Sequence, residues 1–222
     1  MHEALDASDW DRVHQRPIND LPARGLCAAS VGADLLVVGA RGMGGFRSLV
    51  LGSVSSLCLQ LASCPLAVIH DGWEPAPEHA EERVVVGYDG SSNARRAVAW
   101  AVEEAVARDA ALRVVTAWHV PVAVGYPYPG VAAFDPAPFE EQSLTSLRAA
   151  FDGIDVSGLS APPQLDAVNG SPALSLLEQA KDADLLVVGS RGHGGFTGLL
   201  VGSVAQQVVH HAPGAVVVVS PD

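Results

Sequence analysis

The segment Asp34 to Val54, DLLVVGARGMGGFRSLVLGSV, returns 150 residues later as Asp184 to Val204, DLLVVGSRGHGGFTGLLVGSV, with 15 of 21 positions identical. In the same register Asn19 falls on Asn169, Pro22 and Ala23 on Pro172 and Ala173, and Leu66–Ile69 on Val216–Val219. Self-similarity at a fixed offset means that one folding unit has been used twice. The two uses are unequal, because the counterpart of Asp89 would lie before the first residue, leaving the first copy without its front half. The expected organisation is residues 1–18 unassigned, a partial copy over 19–70, a polar and Pro-rich linker over 71–82, and a complete unit over 83–222.

From Arg83 onward, short β-branched runs alternate with helical stretches, the pattern of parallel βα units. Val84 to Tyr88 reads as a first strand, followed by a helix through Arg108 that Ser91 and Ser92 can cap. The apolar positions of this helix, Ala94, Ala97, Val98, Ala101, Val102, Ala105 and Val106, recur every three or four residues. Further strands are expected at Leu112 to Trp118, Gln164 to Val168, Leu185 to Gly189 and Ala215 to Val219. Helices are expected at Phe139 to Phe151, from Pro172 to about Lys181, and from about Gly202 to His211, with a long loop over 119–138. Five strands with four crossovers make an open parallel α/β sheet with helices on both faces. The partial copy keeps a helix near Pro22 to Val31, a strand at Asp34 to Val38, a helix near Gly52 to Leu61 and a strand at Leu66 to Ile69.

Charge narrows the function classes. With 13 Lys plus Arg against 25 Asp plus Glu, the net charge is −12, a field that repels phosphate backbones and anionic lipid. Nucleic acid and membrane surfaces are therefore not expected partners, and any bound anion needs a local site. Cys27, Cys58 and Cys64 are odd in number and lack metal-ligand spacing, and they read as small core residues of a reducing compartment. No apolar run reaches the ~18 residues of a membrane span and the N-terminal stretch is charged, so a cytoplasmic location is expected.

The local anion site is written in the fourth strand and the loop after it. Gly189-Ser190-Arg191-Gly192 leads, after nine further residues, to Gly202-Ser203 at a helix start. Gly189 and Gly192 can adopt positive φ and admit an anion to the backbone, while the N–H groups near Gly202 and the Ser203 hydroxyl can hold phosphate oxygens at the positive helix end. Arg191 can add a cation. Asp89 ends the first strand at the same sheet edge, where ligands of open α/β sheets bind, and its carboxylate suits ribose hydroxyls. On spacing alone, a tight structural turn remains an equal alternative. His193, His210 and His211 read as solvated residues, and no metal ligands are assigned.

The ordered set VVGYDGSS, a strand ending Thr116-Ala117-Trp118, ADLLVVGSRGHGGFTGLLVGSV and a terminal valine strand resembles the universal stress protein family in its tandem form. The resemblance covers Arg83 to Ser220 as a complete domain and Asn19 to His70 as a fragment. It implies an ATP-binding fold with strand order 3-2-1-4-5, binding ATP with or without Mg²⁺. By that similarity Asp89 contacts the ribose, the backbone near Ala117 faces adenine, and Gly189, Gly192, Gly202, Ser203 and Val204 surround the phosphates. The residue after Val204, often Ser or Thr in the family, is Ala205, whereas the partial copy has Ser55 at that place.

The leading expectation is a nucleotide-binding stress regulator that works by a change of conformation or partner rather than turnover, with slow hydrolysis allowed. The chain has no GxxxxGK[ST], no acidic cluster for a catalytic metal and no clear base. The alternatives are an interaction or dimerisation module with a structural glycine loop, and a nucleotide-hydrolysing enzyme. Related hydrolases need a different phosphate motif where this chain reads YDGSS. By the same resemblance Leu66–Ile69 is expected antiparallel to Ala215–Val219 as an intramolecular pseudo-dimer. The strand at Asp34 to Val38 then lacks its usual neighbour, an apolar edge that invites a homodimer or another protein partner.

Overall fold

The computed structural model describes residues 10–42, 51–72, 82–119, 135–193 and 200–221. The interior of the long loop, the linker at 73–81, residues 1–9, and the middle of both glycine loops, 43–50 and 194–199, lie outside the described residues. The partial copy forms α1 (Pro22–Ala29), β1 (Leu36–Gly39), α2 (Ser53–Leu61) and β2 (Leu66–Ile69). The rest forms β3 (Arg83–Gly87), α3 (Ser92–Arg108), β4 (Ala111–Trp118), α4 (Ala137–Ala149), β5 (Gln164–Asn169), α5 (Pro172–Gln179), β6 (Leu185–Gly189), α6 (Ser203–His211) and β7 (Ala215–Val219).

These strands make one seven-stranded sheet in the order β1-β2-β7-β6-β3-β4-β5. Its last five strands are all parallel and, renumbered within their own unit, run 3-2-1-4-5. The expected five-stranded sheet is thus present and is continued by two strands of the partial copy.

The seam is antiparallel. Leu66 pairs with Val218, Ala67 with Val217 and Val68 with Val216. Ala67 and Val217 are equivalent positions of the repeat, so the pairing is centred on a local two-fold axis of the kind that relates subunits of a dimer. Such an axis, perpendicular to the sheet, keeps α1 and α2 on the same face as α5 and α6. One core therefore runs beneath both copies, joining Leu36, Val38, Cys58, Leu66 and Val68 to Leu186, Val188, Val208, Val216 and Val218.

On the opposite face α3 and α4 cover the complete unit. Alanines at 94, 97, 101 and 105 let α3 lie close over Val84, Val86 and Val187. Ser91 starts that helix, its hydroxyl accepting the Ala94 N–H at 3.1 Å, and Asp109 ends it in the left-handed conformation with φ 54°. The partial copy has no counterpart of β3 or α3 among the described residues, and the consequence is visible at one position. Val187 is fully buried, whereas its repeat equivalent Val37 on edge strand β1 is 55% exposed.

His70 follows β2 at the seam. Its Nε2 is buried without a hydrogen-bond partner among the described residues. Burial pushes its imidazole below the ordinary 6.5, Arg41 and His210 push it the same way, and a hydrogen bond to the Val209 backbone and Asp71 oppose. The folded state thus disfavours the protonated ring. The contribution is whole above about pH 6.5 and is lost as pH falls through the lower folded-state value. Thermal unfolding should show Tm dropping more steeply below pH 6.5 in the native chain than in His70→Gln; parallel pH profiles would refute this.

Candidate functional site

Strand order reverses between β3 and β6, because the chain leaves β3 through α3 toward β4 and returns on the other side through α5 to β6. Crevices beyond the carboxyl ends of such strands are the usual ligand sites of open α/β sheets. Asp89, Ser190, Arg191 and Gly192 all stand there. So does the backbone of β4, which overshoots β3. Pairing with β3 ends at Gly87 opposite Val115, whose carbonyl accepts the Tyr88 N–H at 2.9 Å. Alternate residues of a strand point their polar groups the same way, so the N–H and C=O of Ala117 face the crevice above the end of β3. Those of Trp118 face β5, its carbonyl taking the Gly170 N–H at 2.9 Å.

The other wall is the stem of the glycine loop. Gly202 donates its N–H to the Ser190 carbonyl at 2.7 Å, closing the stem, and the partial copy closes identically from Gly52 to Ala40 at 2.7 Å. The expectation that the Gly202 N–H stands free is corrected by this bond. The donors at the start of α6 are instead those of Ser203, Val204 and Ala205, which have no intrahelical partner at the first turn and no side-chain cap. Arg191 donates from Nε to the Leu200 carbonyl at 3.2 Å, so its side chain ties the two ends of the loop together. Its equivalent Arg41 pairs instead with Asp71.

A second correction concerns glycine itself. Neither Gly189 nor Gly192 has positive φ; across the crevice, in the turn between β3 and α3, Gly90 does, at 88°. What the two positions need is space. A Cβ on Gly189 would stand 3.1 Å from Asn93 Nδ2 and 3.2 Å from the Ala94 nitrogen, and one on Gly192 would run into Asp89 Oδ2. Asp89 itself accepts two backbone hydrogen bonds, from Ser91 to Oδ1 at 3.0 Å and from His193 to Oδ2 at 2.9 Å. The His193 ring lies over Gly90.

Asn93 is the residue that sequence reasoning missed. Only 7% exposed, it donates from Nδ2 to Ser190 Oγ and to the Arg191 carbonyl, both at 3.2 Å. A signal existed, since position 93 lies four before Ala97 on the buried stripe of α3. In the partial copy Ser55, a candidate phosphate hydroxyl by position, is buried and donates to the Gly39 carbonyl at 2.7 Å. Among the described residues no group of three or more His, Cys, Asp or Glu could hold a metal, and no helix is long and apolar enough to cross a membrane.

An open α/β sheet with a glycine-stemmed crevice at its switch point defines a class, and comparison with known proteins places the chain within it. The sequence profile of the universal stress protein family matches residues 21–70 and 81–220, and the chain belongs to that family. Universal stress protein Rv2005c of Mycobacterium tuberculosis is 35% identical over 218 residues, covering 97% of this chain and 72% of its own length. A universal stress protein of Mycolicibacterium smegmatis is 38% identical over 202 residues, covering 90% of this chain and 66% of its own. The crystal structure of a universal stress protein from Archaeoglobus fulgidus shares the fold with a TM-score of 0.61 at 22% identity, over 90% of this chain and 66% of that one.

Proposed function

We propose that this universal stress protein binds ATP, with or without Mg²⁺, in the complete unit and acts through nucleotide-dependent conformation or partner binding rather than turnover. The observation that carries the reading is convergence. Asp89, the outward backbone of Ala117, Gly189, Arg191, Gly192 and the uncapped start of α6 at Gly202, Ser203 and Val204 meet at one crevice. Ala117 offers a donor and an acceptor suited to a purine edge, and Asp89 keeps lone pairs for ribose hydroxyls. The first-turn N–H groups of α6, with the Ser203 hydroxyl, suit phosphate oxygens at a positive helix end. The protein brings no cluster of its own for a metal among the described residues, so any Mg²⁺ enters on the triphosphate.

Among the described residues only the complete unit presents the turn that carries Asp89 and the strand that carries Ala117, so one site is expected in residues 1–222. Isothermal calorimetry with ATP, and AMP as control, should give micromolar binding at a stoichiometry near one, with AMP weaker for want of two phosphates. No heat with ATP would return the glycine stem to a purely structural role.

A further inference from the structure

The turn from β3 into α3 reaches across the crevice and grips the opposite wall at two points. Asp89 takes the His193 N–H, and Asn93 gives Nδ2 to both the Ser190 hydroxyl and the Arg191 carbonyl. Residues 190, 191 and 193 of the glycine loop are therefore tied to a rigid helix start, in addition to the bonds that Ser190 and Arg191 make to the loop's far end at Gly202 and Leu200.

Two features single this arrangement out from ordinary turn geometry. First, a carboxylate beside a phosphate site repels the ligand, so placing one there calls for compensation. Asp89 is answered by two N–H donors, one of them belonging to the loop. Second, the repeat supplies an internal comparison. The partial copy has Ala40 where the complete copy has Ser190, so the hydroxyl that Asn93 engages has no equivalent at the repeat position. Asn93 also holds its position at a cost, since its Oδ1 is buried with no partner among the described residues.

We propose that Asp89 and Asn93 are positioning residues, a clamp that holds residues 190–193 in the arrangement a polyphosphate needs, with Asp89 acting on the phosphate side of the site as well as on the ribose. The inference rests on the nucleotide-binding reading. Its chemistry differs in one respect: the clamp acts on a ligand that has no sugar.

The test uses the full chain, Asp89→Ala, Asn93→Ala and Ser190→Ala, with three probes: ATP, 2′,3′-dideoxy-ATP and inorganic tripolyphosphate. A working clamp means that Asp89→Ala weakens dideoxy-ATP and tripolyphosphate by a similar factor, roughly tenfold or more, as for lost hydrogen bonds to a charged group, and weakens ATP further because the ribose contact goes too. Asn93→Ala, which touches no sugar, should weaken all three probes by one common factor. Ser190→Ala, which removes one hydroxyl and leaves the fold, should weaken them by a smaller common factor. Amide exchange at His193, without ligand, should speed up in Asp89→Ala. If Asp89→Ala weakens ATP but leaves dideoxy-ATP and tripolyphosphate as they were, the residue is a ribose contact only and the clamp is refuted. Unchanged exchange at His193 refutes it too. Failure of the nucleotide reading is distinct, showing as no binding of ATP or tripolyphosphate to the unaltered chain.

Discussion

Gly192→Val should abolish measurable ATP binding, an effect of about 100-fold or more, while leaving the fold intact. The cause is local. A side chain at 192 would occupy the place of Asp89 Oδ2, so the carboxylate has to swing away, releasing the His193 N–H and filling the crevice with the valine. Gly192 and the displaced Asp89–His193 hydrogen bond are exposed, so the stability read from urea unfolding should fall by no more than about 1–2 kcal/mol. The repeat provides the control. Gly42 is the equivalent glycine of the partial copy, and a Cβ there meets nothing within 4 Å among the described residues. Gly42→Val should therefore bind ATP as the native chain does. Equal losses from both substitutions would mean that the two loops share a ligand; no loss from either would mean that nucleotide does not enter this crevice.

Much of this was legible in sequence, and the reasons are specific. β2, β6 and β7 fall at their expected limits because runs such as LLVVG and AVVVV, buried on both faces, declare both ends. The antiparallel seam was expected from the family resemblance and the repeat register, and the pairing of Ala67 with Val217 bears it out. Elsewhere, limits moved by a residue or two where a distant or non-periodic partner decides them. β3 begins at Arg83 rather than Val84 because Asp184, 101 residues away, accepts the Arg83 N–H at 2.8 Å. α4 starts at Ala137 rather than Phe139, where Asp135 Oδ1 accepts the Ala137 N–H, and it ends at Ala149 rather than Phe151. α1 stops at Ala29 rather than Val31, just ahead of a turn at Gly32 with φ 80°. At the site, the residue types were readable and their reason was not. Gly189 and Gly192 are small because Asn93 and Asp89 stand against them, and no local pattern reports a neighbour contributed by another βα unit.

Val68→Asp should cost about 4 kcal/mol or more, a large share of the ~5–15 kcal/mol that holds such a chain folded. Val68 is fully buried opposite Val216, in the core that runs beneath both copies, and its apolar neighbours there give a carboxylate no donor. The group would stay protonated in the folded state at the expense of a strongly raised pKa. The penalty is therefore greatest at neutral pH and shrinks as pH falls, because the neutral acid is the form the core tolerates. Val37→Asp, on the exposed edge away from the seam, should by contrast change stability by less than about 0.5 kcal/mol. The shape of the transition separates two pictures of the molecule. Since Leu36, Val38 and Val68 share one apolar cluster with Leu186, Val208 and Val216, calorimetry should show a single cooperative transition whose midpoint Val68→Asp lowers as a whole. A variant that loses only an early partial transition, leaving a second one at the native midpoint, would mean that the partial copy is an appendage. It would then not be the completing half of the core, and the two-fold seam would be a contact between finished units.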